Sequence, residues 1–155
     1  MRRIVVTGMG ILSPLGCQLE TVWQRLLSGA SGLRRLPAET VEGLAVGVGG
    51  PVPSIEEDSA GFDLDRAIDP KERRKMDRFI QMAVVAADDA LKQANWYPQS
   101  EDEKTRTATL IGSGIGGFPA IADAVRTTDS RGPRRLSPFT IPSFLANLAC
   151  GHISI

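Results

Sequence analysis

A cysteine and a histidine stand two residues apart near the C-terminus, Cys150 and His152, and those two types together invite a nucleophile with a neighbouring base. The spacing argues against that chemistry. On a helix, residues two apart point to nearly opposite sides and cannot hydrogen-bond to each other. Cys150 also lies among Leu148, Ala149 and Ile153, where a thiol behaves as a small apolar group. His152 is the only histidine, so no obvious general base is present. Both residues are expected to be structural. Ser13, after Gly8-Met9-Gly10, sits in neither a nucleophile elbow nor a phosphate loop and reads as a turn residue.

A second chemical candidate is the stretch Thr107–Gly117, an apolar run that ends in glycines. Gly112, Gly114 and Gly117 satisfy G-x-G-x-x-G, the pattern of a dinucleotide site. The context does not fit. Such a site needs a long helix opening on the last glycine and an acidic residue about 20 positions on. Here Phe118-Pro119 follows, with only a short helix expected near Pro119 to Arg126, and Arg134-Arg135 stand where the acid belongs.

Basic residues give a third signal. Lys71, Arg74 and Lys75 are spaced i, i+3, i+4, which puts three positive charges on one helical face. Arg131, Arg134 and Arg135 form a second cluster. Two such patches suit docking of an acidic protein. They equally suit a solvated face with internal salt bridges, since Glu72 and Asp77 are neighbours, and the spacing leaves both readings open.

The bulk composition narrows the classes. The 155 residues carry 18 Lys+Arg and 18 Asp+Glu, so no global field draws the chain to nucleic acid or to a membrane surface. Cys17 and Cys150 make neither a disulfide framework nor a metal-ligand spacing. The first residues show no apolar signal region, and no apolar run approaches the ~20 residues of a membrane span. The expectation is a soluble cytoplasmic protein with no metal.

The elements that must position these residues follow from periodicity. Ile4–Thr7 reads as a short buried strand closed by a glycine turn, and Thr107–Ile111 as a strand buried on both faces. Leu19, Val22, Trp23, Leu26 and Leu27 recur at helical spacing, with Gly29 as the stop. Residues 30–68 are irregular, with a short strand near Leu44 to Val48 and a solvated acidic loop at Glu56-Glu57-Asp58. Asp69, Pro70 and Glu72 mark a strong helix start with a capping box, and Ile80, Ala83, Val84, Ala87, Leu91 and Ala94 continue it as one closely packed stripe. Glu101-Asp102-Glu103 reads as an exposed loop, Thr127 to Ser137 as a polar basic loop, and Pro142 to Ile153 as a final, mostly buried helix. Strands alternating with helices argue for an α/β fold with a mainly parallel sheet flanked by helices. The chain closes on the apolar Gly151–Ile155 without a polar tail, so a fragment of a longer protein is expected.

Several stretches together resemble one family. They are Val5-Val6-Thr7-Gly8-Met9-Gly10 with Ser13-Pro14-Leu15-Gly16, then Lys71-Glu72-Arg73-Arg74-Lys75-Met76-Asp77-Arg78-Phe79-Ile80-Gln81, then Ile111–Gly117, Gly132-Pro133-Arg134-Arg135, and Ser137–Ser143. In this order they resemble the N-terminal part of the elongating β-ketoacyl-acyl carrier protein synthases. The resemblance implies the layered thiolase-like fold, a homodimer and no cofactor. It implies a decarboxylating Claisen condensation in fatty acid or polyketide synthesis, in which a cysteine carries the acyl group and two histidines assist. None of those three catalytic residues falls within residues 1–155, so this chain alone, a partial ketosynthase domain, is expected to be inactive. What the resemblance carries over is binding. Ile115 would line the acyl channel, and Thr140 and Ile141 would reach across the dimer interface into the partner's acyl pocket. Lys71, Arg74, Lys75, Arg134 and Arg135 would dock an acidic acyl carrier protein whose phosphopantetheine arm bears the acyl or malonyl group. The final helix would pack near the two-fold interface. A non-catalytic ketosynthase-like partner that sets chain length is the alternative, and a dinucleotide-binding domain a weaker one.

Overall fold

The computed structural model describes residues 3–155, the side chain of Arg66 apart, and helices make up most of its regular structure. The chain divides into two compact units, Met9–Leu64 and the residues up to Gly8 together with Asp65–Ile155.

In the Met9–Leu64 unit, the helical spacing is realised as α1 (Leu19–Leu27), with Val22 buried. Ser28 caps it, and Gly29 follows at a φ of 71°, a conformation that glycine adopts without a Cβ penalty. Ser13 lies in the expected tight turn, exchanging backbone hydrogen bonds with Gly16 at 3.0 Å. The single ladder pairs β1 (Arg34–Arg35) antiparallel with β2 (Val48–Gly49), so the strand expected from Leu44 begins later. In the acidic loop Glu56 and Glu57 are exposed as expected, while Asp58 is half-buried. The Arg25 guanidinium donates to both Asp58 carboxylate oxygens, at 2.5 and 3.1 Å, and to the Leu15 carbonyl at 2.8 Å. The Arg25 hydrogen bond is the main cause that holds the Asp58 carboxyl below its usual range. Arg34 and the Ser54 amide hold Glu57 low in the same way. Val22, Ala60 and Phe62 are the buried apolar residues of this unit.

A short helix, α2 (Leu64–Ala67), precedes the start that Asp69 and Pro70 mark. The Asp69 side chain accepts from the Lys71 amide at 2.7 Å, and Pro70 takes the first turn, as expected. The long helix does not follow. It stops after α3 (Pro70–Arg73) and restarts as α4 (Arg78–Ala94) with Asp77 at the N-cap. Glu72, expected to close a capping box, bonds Lys75 instead, at 2.6 Å. The Gln81 side chain donates to the Arg73 and Met76 carbonyls, groups that the break would leave open. Asn95 ends α4 in the left-handed region at φ 50°. Its alanine stripe does pack closely. Gly8 runs so near that a Cβ there would lie 2.0 Å from the Ala90 carbonyl oxygen, so Gly8 serves close approach, and the turn expected at residues 8–10 is not formed.

Three further expectations are corrected. The acidic segment at residues 101–103 is α5 (Glu101–Thr105), closed by a full capping box between Ser100 and Glu103. Helix α6 (Phe118–Arg131) is longer than expected, because Pro119 in the first turn costs no hydrogen bond, and it replaces part of the basic loop. The final helix is two, α7 (Thr140–Phe144) and α8 (Leu148–Ser154), with Leu145 extended between them. Helix α8 packs on α4 and α7 on α6. Ile68, Ile80 and Ala149 are the buried apolar residues here.

Ile4–Thr7 and Thr107–Ile111 belong to no ladder among the described residues. Ile4, Val6 and Leu110 are 95%, 80% and 94% exposed, so these runs are not the buried strands their composition suggested. Composition marks a run that fits a sheet interior, and only neighbouring strands can supply the sheet.

Candidate functional site

Asp77 explains why the basic segment is shaped as it is. Its amide donates to the Ser143 carbonyl at 3.1 Å, and its carbonyl accepts from Ile80 and Gln81 to start α4. Its carboxylate accepts from the Ala120 amide at 3.0 Å, in the first turn of α6. A carboxylate at a helix N-terminus meets unpaired N–H groups and the positive end of the helix dipole. The chain therefore turns at residues 74–77, and Arg74 and Lys75 face the ground between α6 and α7.

A cavity of about 400 Å³ opens there, with Arg74, Asp123, Arg135, Phe139, Thr140 and Ser143 among its walls. Lys75 lies over one wall, its Nζ 5.7 Å from the centre of the Phe139 ring and 2.6 Å from Glu72 Oε1. Gly132 ends α6 at φ 83° and swings the chain into a 3-10 turn, Pro133–Arg135, which brings Arg135 to the cavity. Arg134 is exposed on the same turn. Thr140 opens α7, with its amide donating to the Ser137 carbonyl at 3.0 Å. Two guanidinium groups beside hydroxyl-bearing walls suit a carboxylate or phosphate on an incoming partner. Asp123, the one carboxylate in the wall, is paired with Arg126 at 2.9 Å.

Of the eight binding residues read from the sequence, Arg74, Arg135 and Thr140 line this cavity, and Lys75 and Arg134 flank it. Lys71 is exposed at the start of α3 and does not line it. Ile141 is 61% exposed on α7, and Ile115 is 75% exposed on the glycine loop. The internal salt-bridge reading holds for Lys75 with Glu72; Asp77 serves the backbone instead. Asp77, Phe139 and Ser143 were missed as site residues. For Asp77 a signal existed, an aspartate directly before an apolar-periodic run, which is an N-cap signature.

The other chemical candidates resolve without a second site. Cys150 Sγ donates to the Thr109 carbonyl at 3.2 Å, and His152 Nε2 is buried with no hydrogen-bond partner among the described residues. The glycine motif does open a 14-residue helix, contrary to the expected short one. Its N-terminus is already occupied, since Asp77 Oδ2 would lie 2.7 Å from a Cβ on Gly117. A phosphate would have to displace that carboxylate. No group of three or more His, Cys, Asp or Glu that could hold a metal ion occurs among the described residues. No helix there is long and apolar enough to cross a membrane.

Comparison with known proteins agrees with the motif order. Residues 1–155 match the family described as Beta-ketoacyl synthase, N-terminal domain. The chain is 46% identical over 155 residues to 3-oxoacyl-(acyl-carrier-protein) synthase 2 of Rhizobium meliloti (strain 1021), covering 100% of this chain and 37% of that protein. The crystal structure of a beta-ketoacyl synthase from Burkholderia phymatum STM815 superposes with a TM-score of 0.78 at 24% identity, over 99% of this chain and 36% of that one. A ketosynthase solved with its type II PKS acyl-carrier protein and bound to the hexaketide gives a TM-score of 0.70 at 21% identity, over 97% of this chain and 37% of that one. The chain thus spans little more than a third of the proteins it matches, and its structural neighbours are ketosynthases of the thiolase-like fold. With the family match running along all 155 residues, the chain belongs to the beta-ketoacyl synthase family, within its N-terminal domain.

Proposed function

We propose that the full-length protein is an elongating β-ketoacyl-acyl carrier protein synthase and that this chain supplies its carrier-docking face and part of its acyl channel. The observation that carries the reading is the 46% identity to a 3-oxoacyl-(acyl-carrier-protein) synthase 2 along the whole chain. In the proposed reaction an acyl group leaves its carrier thiol for a cysteine. Malonyl on the carrier protein loses carbon dioxide. The carbanion so formed attacks the acyl carbonyl, and the cysteine sulfur departs as the carbon–carbon bond forms. The cysteine and the two assisting histidines are proposed to lie outside residues 1–155, in the part of the relatives that this chain does not span.

The binding roles follow from chemistry. An acidic carrier protein would meet Arg74 and Arg135 at the cavity, with Lys71, Lys75 and Arg134 around it, and electrostatics would steer the encounter and set its register. The carrier-bound ketosynthase among the structural neighbours supports this partner. Ile115, Thr140 and Ile141 are the proposed channel residues, the last two shared across a homodimer. The protein is proposed to act in the cytoplasm, without a cofactor. The chain-length partner reading is weaker, because the curated relative at 46% identity is itself named a synthase. Radiolabelled malonyl carrier protein tests the reading. The full-length protein should condense it with an acyl carrier substrate, and residues 1–155 alone should not. Failure of the full-length protein, or turnover by the isolated chain, would contradict the proposal.

A further inference from the structure

Asp77 ties three elements by three different groups. Its carbonyl opens α4, its carboxylate takes the Ala120 amide of α6, and its amide donates to the Ser143 carbonyl of α7. The glycine turn closes the same joint. Gly117 donates to the Phe144 carbonyl at 2.9 Å, and a Cβ on Gly116 would lie 2.4 Å from that oxygen. A Cβ on Gly117 would lie 2.7 Å from Asp77 Oδ2 and 2.8 Å from Phe144 Cα. No side chain larger than hydrogen fits at either glycine without moving backbone.

The consequence concerns what hangs on either side. Ile115 immediately precedes Gly116 on one arm, and Thr140 and Ile141 belong to the helix that ends at Phe144 on the other. Within the described residues both arms carry exposed apolar side chains, Ile115 at 75% and Ile141 at 61%, so packing inside this chain does not fix them. Backbone hydrogen bonds at the joint fix them instead. We infer that Asp77 is a positioning residue whose carboxylate sets the spacing of the two acyl-channel arms, and thereby the acyl chain length the enzyme accepts. This inference rests on the reading of Ile115, Thr140 and Ile141 as channel residues. Asp77 itself touches no substrate. It acts through the start of α6 and the end of α7.

Length selectivity is the readout, because a uniform loss of stability lowers turnover on every substrate alike. The full-length protein is assayed on a short and a long acyl carrier substrate, with kcat and KM separated. Asp77→Ala leaves the Ala120 amide without its acceptor and loosens the start of α6 against α7, while the backbone bonds from Asp77 to Ser143 and from Gly117 to Phe144 remain. The ratio of kcat for the long chain to kcat for the short chain is expected to change about tenfold, with KM for the carrier protein within about twofold of wild type. Asp77→Asn keeps an acceptor oxygen in place and should restore the ratio to within about threefold of wild type. If Asp77→Ala does not fold, Asp77→Glu decides, since it lengthens the tie by one methylene and should also move the ratio. An active wild type whose Asp77→Ala and Asp77→Glu variants keep its length ratio would overturn the inference. So would a loss equal for both chains, or an Asp77→Asn variant no better than Asp77→Ala. A full-length wild type with no condensing activity would overturn the functional reading itself.

Discussion

Reversing the two guanidinium charges at the cavity is the perturbation that asks most of the docking assignment. Arg74 and Arg135 are both exposed, and neither forms an ion pair among the described residues. Their charges are therefore available to a partner, whereas Lys75 is engaged by Glu72 and Phe139. An exposed ion pair contributes about 0.2–1 kcal/mol, and reversal replaces attraction with repulsion of similar size. The Arg74→Glu, Arg135→Glu double variant should then weaken carrier docking by about 1–4 kcal/mol, a rise in KM of about 60-fold at the centre of that range. The proposed chemistry lies outside residues 1–155, so kcat on saturating carrier protein should hold. The effect should shrink as salt rises, because exposed charges are screened beyond about 10 Å at 0.1 M. Lys104→Glu on α5 is the control, since it reverses a charge of the same sign, two units against the four of the double variant, but lies outside this cavity. Steady-state kinetics of the full-length protein with varied carrier protein give all three values. An unchanged KM, or an equal rise in the Lys104→Glu control, would refute the reasoning.

Two further outcomes test the fold. Gly8→Ala should cost about 1–3 kcal/mol of stability, because its Cβ would lie 2.0 Å from the Ala90 carbonyl, while Gly114→Ala, with no atom near its Cβ, should be close to neutral; denaturant titration compares them. The Arg25–Asp58 pair predicts an acid limb. The folded Asp58 pKa lies below its unfolded value near 4, so the pair stabilises above about pH 4 and that contribution is lost as pH falls through the folded value. Thermal midpoints against pH should drop less steeply below about pH 4 for Asp58→Asn than for wild type, and parallel curves would contradict the assignment.

Local signals in the sequence were legible where the physics is local. Asp69 and Pro70 start α3, the periodicity from Leu19 to Leu27 gives α1, and Gly29 stops it, all within one or two turns of chain. The Ser100–Glu103 capping box was equally local and went unread because the acidic run looked like a solvated loop. The break at residues 74–77 could not be read locally. It depends on an Asp77 carboxylate whose partner, Ala120, is 43 residues away. The apolar runs at Ile4–Thr7 and Thr107–Ile111 show the opposite limit, since their composition describes a sheet interior but the pairing depends on other strands. The site divides in the same way. The basic residue types were visible as clusters, but their convergence with Thr140 on one cavity comes from the Asp77 joint and the Gly132 turn.

The central claim meets its most direct measurement in the mass of the carrier-bound product. Full-length protein given acyl carrier protein and malonyl carrier protein should yield the 3-oxoacyl chain on the carrier, with one carbon dioxide released for each chain extended. An unextended acyl group after prolonged incubation with active carrier substrates, or carbon dioxide released with no extended product, would contradict the account.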